Sequence, residues 1–316
     1  MSNGWGIRNL SVAEGQKEKG YLELPTIAEK LPAFLVNGIA EGPKVLVLGG
    51  IHGCEYTSID AAQKVGASIT PAEVKGKIIV LPIANPASFY ARSIYVHPGD
   101  QKNLNRVFPG KKEGTDAERL AYWLNESVFK EVDYIIDLHG GDMIEALVPF
   151  TIYHVTEDEE VLNSSKEIAS LFDIEYVIGS KGQVPGSTYG CAAEQGIPAI
   201  IAEAGQQGIM SEEHSLLLQK GVKNILISLG LLEGEAEKSD STFLSVFDWY
   251  RSDTKGLWYP AVQIGDAVAK GQVLGKLANE FGDTVKEVVS HTEGTVLFLV
   301  SSLAINDTDP LLAVGA

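Results

Sequence analysis

The chain has 316 residues, of which 45% are hydrophobic and 21% are charged, as in an ordinary soluble globular protein. Its net charge of −17, without any long run of Lys or Arg, excludes nucleic acid and anionic membrane surfaces as expected partners, since both require a basic patch. The sequence predicts a cytoplasmic protein, because it has no signal-peptide layout at its start, no apolar stretch near the ~20 residues that cross a bilayer, and only two cysteines.

The first strong signal is a buried strand followed by a helix. Val45–Leu48 is apolar and rich in branched residues, and Glu55–Ile69 has a helical period. His52 and Glu55 lie on the turn between them, where an imidazole and a carboxylate can converge on a zinc ion. A helix N-terminus with an incidental histidine fits the same short pattern. The metal interpretation therefore depends on a third ligand.

A long loop follows the next predicted strand, Lys77–Pro82. Residues 84–114 show little periodicity, and a loop of this length is either functional or a misassigned element. We favour a functional loop because it contains Asn103-Leu104-Asn105-Arg106.

Three side chains of this loop are candidates for binding an anionic substrate. Arg106 has a planar guanidinium suited to a carboxylate, and Asn105 can add a hydrogen bond beside it. Arg92 could bind a second anion or stabilise an oxyanion, although a solvated surface arginine is the simpler interpretation there.

Helices and strands then alternate to about residue 231. A capping box at Thr115–Glu118 begins a helix, and a second one at Thr156–Glu159 begins another. The remaining predicted elements are strands at Val132–Leu138, Glu175–Ile178 and Ile197–Ala202, and helices at Ser187–Gln195 and Glu212–Leu231. This alternation predicts an α/β fold, with a largely parallel sheet and helices on both faces.

Ligands of such a sheet bind outside the carboxyl ends of the strands. His139 and Glu203 each follow a predicted strand, so we expect both near His52 and Glu55. His139 would complete a His₂Glu zinc set with an open fourth position. We favour Glu203 as the general base and acid over a helix-capping or surface carboxylate, because the other site residues share this edge. Asp137 either orients a ligand imidazole or only ends its strand.

The composition changes after residue 231, which predicts a second domain. A polar, linker-like run at Glu233–Asp240 is followed by short strands with recurring glycines and no helical period. We place a hydrolase domain at residues 1–238 and a small all-β domain at residues 239–316.

Taken in order, these motifs resemble the succinylglutamate desuccinylase/aspartoacylase family of zinc carboxypeptidase-like hydrolases. The residues that carry the resemblance are Gly49–Glu55, Asn85-Pro86, Asn103–Gly110, Asp137-Leu138-His139 and Gly196–Glu203. The resemblance implies a carboxypeptidase-like sheet, about one zinc per chain on His52, Glu55 and His139, and Glu203 as the catalytic carboxylate. It also implies Asn105 and Arg106 in substrate binding and Arg92 polarising the scissile carbonyl. The chain has Asn103 where aspartoacylases have an aspartate.

The C-terminal region resembles a lipoyl/biotinyl-type barrel, through Gly265–Gln272 and Glu293–Val296. Carrier domains of that type present a modifiable lysine at a hairpin tip, whereas the tip here, Glu280–Thr284, has none. We therefore expect no swinging arm, and expect this unit to pack beside the active-site mouth or to mediate homo-oligomerisation.

The sequence thus predicts a zinc-dependent amidohydrolase that removes the acyl group of a small N-acylated amino acid. Two alternatives stay open, a metallocarboxypeptidase and a non-catalytic binding or assembly protein. A peptidase needs an open groove and a deacylase a closed funnel. A cysteine protease is disfavoured, because His52 is better explained by its pairing with Glu55 than as a base for Cys54.

Overall fold

The computed structural model of the chain describes residues 4–182 and 184–316. Its helices are α1 (Tyr56–Ser68), α2 (Pro86–Ala91), α3 (Asp116–Ser127), α4 (Glu159–Ala169), α5 (Thr188–Glu194) and α6 (Glu212–Ser228). Its strands up to residue 244 are β1 (Trp5–Ile7), β2 (Leu10–Val12), β3 (Gln16–Leu22), β4 (Leu31–Asn37), β5 (Ala40–Gly49), β6 (Lys75–Leu81), β7 (Tyr134–His139), β8 (Glu145–Leu147), β9 (Phe150–His154), β10 (Tyr176–Ser180), β11 (Ala199–Glu203) and β12 (Thr242–Leu244).

The remaining strands follow without an intervening α-helix in the described chain. They are β13 (Phe247–Arg251), β14 (Gly256–Pro260), β15 (Ala267–Val268), β16 (Val273–Ala278), β17 (Thr284–Val289), β18 (Gly294–Val300), β19 (Ala304–Ile305) and β20 (Pro310–Gly315). No helix within residues 4–182 and 184–316 is long and apolar enough to cross a membrane.

The largest sheet has the strand order β12-β10-β9-β11-β7-β5-β6-β4-β3. Its centre, β6-β5-β7-β11, is parallel as predicted. The sheet is nevertheless mixed, because β9 runs antiparallel to β11 and β4 runs antiparallel to both β3 and β6. Only β8 and short turns separate β7 from β9, and without a crossover helix a strand more readily returns in the opposite direction.

Both faces of this sheet are covered, which confirms the mixed α/β architecture. Alternate residues of β5 enter different cores, with Leu46 and Leu48 on one face and Val45 and Val47 on the other. The first core includes side chains of α3 and α5, and the second includes those of α1, α4 and α6. Because the central strands are buried on both faces, they read as continuous apolar runs in the sequence.

Several local predictions need correction. The N-terminal segment, for which no element was predicted, forms β1 to β3, and β3 joins the large sheet. Helix α4 is capped by Asp158, whose carboxylate accepts hydrogen bonds from the backbone of Glu160 and Val161, and not by Thr156. The capping box of Thr115 and Glu118 is confirmed.

The C-terminal strands form two smaller sheets that adjoin the large one. One has the order β13-β20-β18-β15 and the other β17-β16-β14-β19. Strand β8 pairs with β18, and β12, which lies beyond the predicted boundary, pairs with β10 of the large sheet. The division at residue 239 and the likeness to a lipoyl-type barrel both stay predictions.

Candidate active site

Three neighbouring parallel strands bring the site residues to one edge of the sheet. His52 and Glu55 follow β5, His139 ends β7, and Glu203 ends β11. The register of β7 and β11 places Glu203 directly opposite His139. Since parallel strands end at the same edge, residues far apart in the sequence meet there.

The turn that carries His52 and Glu55 is held by close packing against α2. A Cβ on Gly53 would lie 2.2 Å from the backbone nitrogen of Phe89, so only glycine allows this approach. Asn85 caps α2 through its side-chain oxygen, and its amide group donates to the Ile51 carbonyl oxygen at 3.3 Å. The start of the long loop thus fixes the position of the turn.

His52, Glu55 and His139 form a compact buried cluster. Glu55 Oε1 lies 2.6 Å from His52 Nδ1, and Glu55 Oε2 lies 3.0 Å from His139 Nδ1. One potential ligand atom from each residue lies within 4.8 Å of the others. These are the donor types of a His₂Glu zinc site. The structure therefore brings together the three residues that the sequence predicted as ligands.

The opposite nitrogen of each imidazole is occupied by an orienting partner. His139 Nε2 lies 3.0 Å from Asp137 Oδ2, which also accepts a hydrogen bond from the Thr188 hydroxyl at 2.5 Å. His52 Nε2 lies 3.0 Å from the side-chain oxygen of Asn103. With Nε2–H donating in both rings, each Nδ1 is left with a lone pair that faces Glu55.

The donor set fits a divalent cation. Glu55 Oε2 is buried and, among the described residues, has no hydrogen-bond partner, because its contact with His139 lacks hydrogen-bond alignment. Burial alone would raise the pKa of Glu55, but the two imidazoles lower it to about 2. Burial lowers the pKa of His139, but Asp137 and Glu55 outweigh it and raise that pKa well above its usual value. The cluster thus favours positive charge at the position where a metal would sit.

Glu203 lies beside this cluster without belonging to it. In the described chain its side chain has neither a hydrogen bond nor an ion pair, and it is half-buried. Desolvation raises the pKa of Glu203 to about 8, with Glu55 and Asp137 adding to the effect and His139 and Arg106 opposing it. A carboxyl group with such a pKa can both accept and release a proton near neutral pH.

A cavity of about 290 Å³ opens onto the cluster. His52, Glu55, His139 and Glu203 all line it, together with Asn105 and Arg106. Asn105 is buried, and its side-chain oxygen accepts a hydrogen bond from the backbone of Thr188 at 2.8 Å, which leaves its amide group to donate. The guanidinium of Arg106 is accessible from the cavity and donates to the Asn105 carbonyl oxygen at 2.7 Å.

Two other candidate residues, Arg92 and Cys54, do not line the cavity. Arg92 is exposed at the end of α2 with a positive φ of 52°, and it is not among the residues that line the cavity. Cys54 is buried, and its sulfur contacts the Tyr56 hydroxyl at 3.8 Å. Burial raises the pKa of the Cys54 thiol, so this cysteine is not an activated nucleophile.

Sequence reasoning missed several residues that line the cavity: Tyr95, Glu145, Trp249, Arg251 and Asp309. Tyr95 lies in the long loop with a φ of 38°, an unusual conformation for an aromatic residue and one often found at functional sites. Its position in the loop predicted to be functional is the one signal for it in the sequence. The last three lie in or beside the C-terminal strands, where no motif indicated a role.

Residues 41–229 match the family model described as the succinylglutamate desuccinylase/aspartoacylase catalytic domain. The chain is 31% identical to the N-alpha-acetyl-L-2,4-diaminobutyric acid deacetylase of Halomonas elongata over 274 residues, which is 82% of this chain and 79% of that protein.

Solved structures agree with this result. The product-bound ectoine utilization protein EutE (DoeB) of Ruegeria pomeroyi has a TM-score of 0.86 and 27% identity, covering 95% of each chain. An aspartoacylase family protein of Mesorhizobium loti has a TM-score of 0.79 and 27% identity, covering 96% of each chain. The matches thus extend over the C-terminal strands as well as over the region of the family model.

Proposed function

The chain belongs to the succinylglutamate desuccinylase/aspartoacylase family, and from this premise we propose that it is a zinc-dependent amidohydrolase that deacylates a small N-acyl amino acid. The observation that carries the proposal is the convergence of His52, Glu55 and His139 with the unpaired carboxyl group of Glu203 in one cavity. A metal set with one adjacent proton-transfer group is what metal-assisted amide hydrolysis requires.

His52, Glu55 and His139 would hold the zinc, with Asp137 and Asn103 fixing the two imidazoles. Bound zinc would polarise the amide carbonyl and lower the pKa of a coordinated water. Glu203 would take a proton from the attacking water and deliver it to the leaving nitrogen, so that one amide and one water give one carboxylate and one amine. Its freedom from other partners suits that double task.

Arg106 and Asn105 would bind the substrate carboxylate. The guanidinium of Arg106 has no carboxylate partner among the described residues, and the Asn105 amide group lines the same cavity. A planar guanidinium binds a carboxylate through two parallel hydrogen bonds, which orients the substrate as well as attracting it. Arg92 keeps its predicted role in carbonyl polarisation only if the loop that carries it moves toward the cavity.

We further propose Nα-acyl diamino acids as the substrate class. Glu145 lines the cavity, and its carboxyl group forms no ion pair within the described residues. Burial, followed by the charges of Asp142 and Glu55, raises the pKa of Glu145 well above its usual value. A second amino group of the substrate would supply the missing cation. The relative from Halomonas elongata carries the name of a deacetylase for such a compound.

A metallocarboxypeptidase is the weaker alternative. Its substrate would extend away from the metal along an open groove. The cavity here is small and has Phe247, Trp249 and Phe298 of the C-terminal strands in its wall. These residues favour a compact substrate over a polypeptide.

The test is a hydrolysis screen on protein of measured metal content. N-acetyl and N-succinyl derivatives of neutral, acidic and diamino acids are compared with short peptides. We expect the highest kcat/KM for an Nα-acyl diamino acid. His139→Ala should lose metal and hydrolysis together, whereas His291→Ala, an exposed histidine outside the cavity, should lose neither. Preferred release of C-terminal residues from peptides, or no hydrolysis by metal-loaded protein, would overturn the proposal.

A further inference from the structure

Two arginine side chains line the cavity from opposite parts of the chain. Arg106 belongs to the long loop, and Arg251 ends β13 of the C-terminal strands. Among the described residues neither forms an ion pair with a carboxylate. The family model ends at residue 229, so it includes Arg106 and leaves out Arg251.

Arg251 is held in place by weak contacts that leave most of its donors free. One N–H donates to the Thr308 carbonyl oxygen at 3.0 Å, and the guanidinium lies 5.8 Å from the centre of the Trp249 ring. A guanidinium has five N–H donors in a fixed plane. The side chain is therefore oriented by the protein and still able to bind an anion.

The two guanidinium groups influence each other. Burial is the largest cause that lowers the pKa of Arg106, and the positive charge of Arg251 lowers it further, whereas Tyr189, Glu145 and Glu203 oppose this shift. Two like charges facing one small cavity repel each other, and an anion placed between them removes that repulsion. Glu145, Glu203 and Asp309 also line the cavity, but within the described residues none of them forms an ion pair with either arginine.

From this arrangement we infer that Arg251 is a specificity-determining residue, which binds the substrate carboxylate together with Arg106. The inference rests on the proposed function, since it assigns a second anchor to the same substrate. It also gives the C-terminal strands a direct part in the active site, because the substrate would be held between the loop and β13.

The experiment compares two substrates that differ in a single group, an N-acyl amino acid and its α-carboxamide. For Arg251→Gln we expect the kcat/KM of the carboxylate substrate to fall about 10- to 100-fold, as for loss of a charge-assisted hydrogen bond. The fall should lie mainly in KM. The carboxamide should change by less than about threefold, because it presents no charge to the guanidinium. Metal content should not change.

A matched control is available at Arg8. Its guanidinium lies 5.7 Å from the Trp123 ring centre, nearly the same stacking distance as for Arg251, but Arg8 does not line the cavity. Arg8→Gln should keep wild-type kinetics on both substrates. Arg251→Lys, which keeps the charge and loses the planar fork, should fall between the wild type and Arg251→Gln. It also serves as the test protein if the glutamine variant does not fold.

Each outcome is decisive. Equal losses on both substrates, or a loss confined to kcat, would make Arg251 a structural or carbonyl-polarising residue and overturn the inference. Unchanged kinetics of Arg251→Gln in an active wild-type background would overturn it as well, while leaving the proposed function intact. A wild-type protein that hydrolyses no N-acyl amino acid would instead refute the proposed function itself.

Discussion

The cavity has two unlike sides. The metal edge is polar and is formed by His52, Glu55, Asp137, His139 and Glu203, of which only Glu203 is not fully buried. Its imidazoles are fixed by hydrogen bonds. The facing wall, formed by Phe247, Trp249, Arg251 and Phe298, is held by ring contacts, with ring centres 5.1 Å apart for Phe247 and Trp249 and 4.9 Å apart for Trp249 and Phe298.

This difference separates two tasks. The metal edge concentrates charge and proton-transfer groups, so changes there should alter metal content or kcat. The facing wall offers apolar surface and one cation, so changes there should alter KM and substrate choice. If a substitution in the facing wall reduced the metal content, the two sides would act as one unit.

The largest effect is expected at Glu203. Glu203→Gln keeps the shape of the side chain and removes its basicity, so kcat should fall by about 10²- to 10⁴-fold. Metal content should stay near wild type, because Glu203 is not part of the three-residue cluster. Glu194→Gln, an exposed glutamate at the end of α5, should leave kcat unchanged. Loss of metal from Glu203→Gln would make Glu203 a ligand, and full activity would remove it from the mechanism.

The next largest effect is expected at Asp137, whose carboxylate contacts the Nε2 atom of His139. Asp137→Asn keeps an oxygen near His139 Nε2 but removes the negative charge that makes the ring a stronger ligand. Metal affinity, measured by competition with a chelator, should fall about 10- to 100-fold.

Asn103→Ala provides the comparison at His52, where the orienting group is already neutral. Its loss of metal affinity should be smaller than that of Asp137→Asn. The reverse order would mean that ring orientation, and not charge, controls binding at this edge.

The metal edge could be predicted from the sequence for a physical reason. The three predicted ligands and Glu203 each end or follow a short apolar run that indicates a buried strand, and parallel strands end at one edge. His52, Glu55, His139 and Glu203 were therefore placed together without knowledge of the strand order. Asn103 contacts the imidazole of His52. The sequence did not predict this contact, because aspartoacylases have an aspartate at that position.

The facing wall could not be predicted in this way. Arg251 ends β13 and Asp309 directly precedes β20, and the pairing of these two strands joins segments about 60 residues apart. No local pattern in the sequence marks a residue that lines a distant cavity. Strand β9 was missed for a related reason, since its short apolar run between β8 and α4 has no flanking helix before it. Arg92 shows the opposite limit. It lies in the loop predicted to be functional but does not line the cavity, because a long loop does not by itself determine which of its side chains reach a site.

A more moderate effect is expected at Arg106, which lines the same cavity as the wall. Arg106→Lys keeps the charge and loses the bidentate fork, so KM should rise about tenfold while kcat changes little. Metal content and melting temperature should match wild type, since the guanidinium makes no ion pair within the described structure. If Arg106→Lys had a reduced metal content, Arg106 would belong functionally to the metal edge, and the two sides would not have separate tasks.

The smallest effect is expected at Cys54, although it lies between two proposed metal ligands, His52 and Glu55. Its thiol is buried, burial raises its pKa, and its sulfur contacts the Tyr56 hydroxyl at 3.8 Å, so no base activates it in the described structure. Cys54→Ala should therefore keep kcat and KM within about threefold of wild type, with stability lowered by about 1 kcal/mol for the lost packing. Iodoacetamide should react slowly with the folded protein for the same reason. The contradicting result would be a loss of activity as large as that expected for Glu203→Gln, at unchanged metal content. Cys54 would then be the reacting group, and the mechanism would be covalent instead of hydrolysis by an activated water.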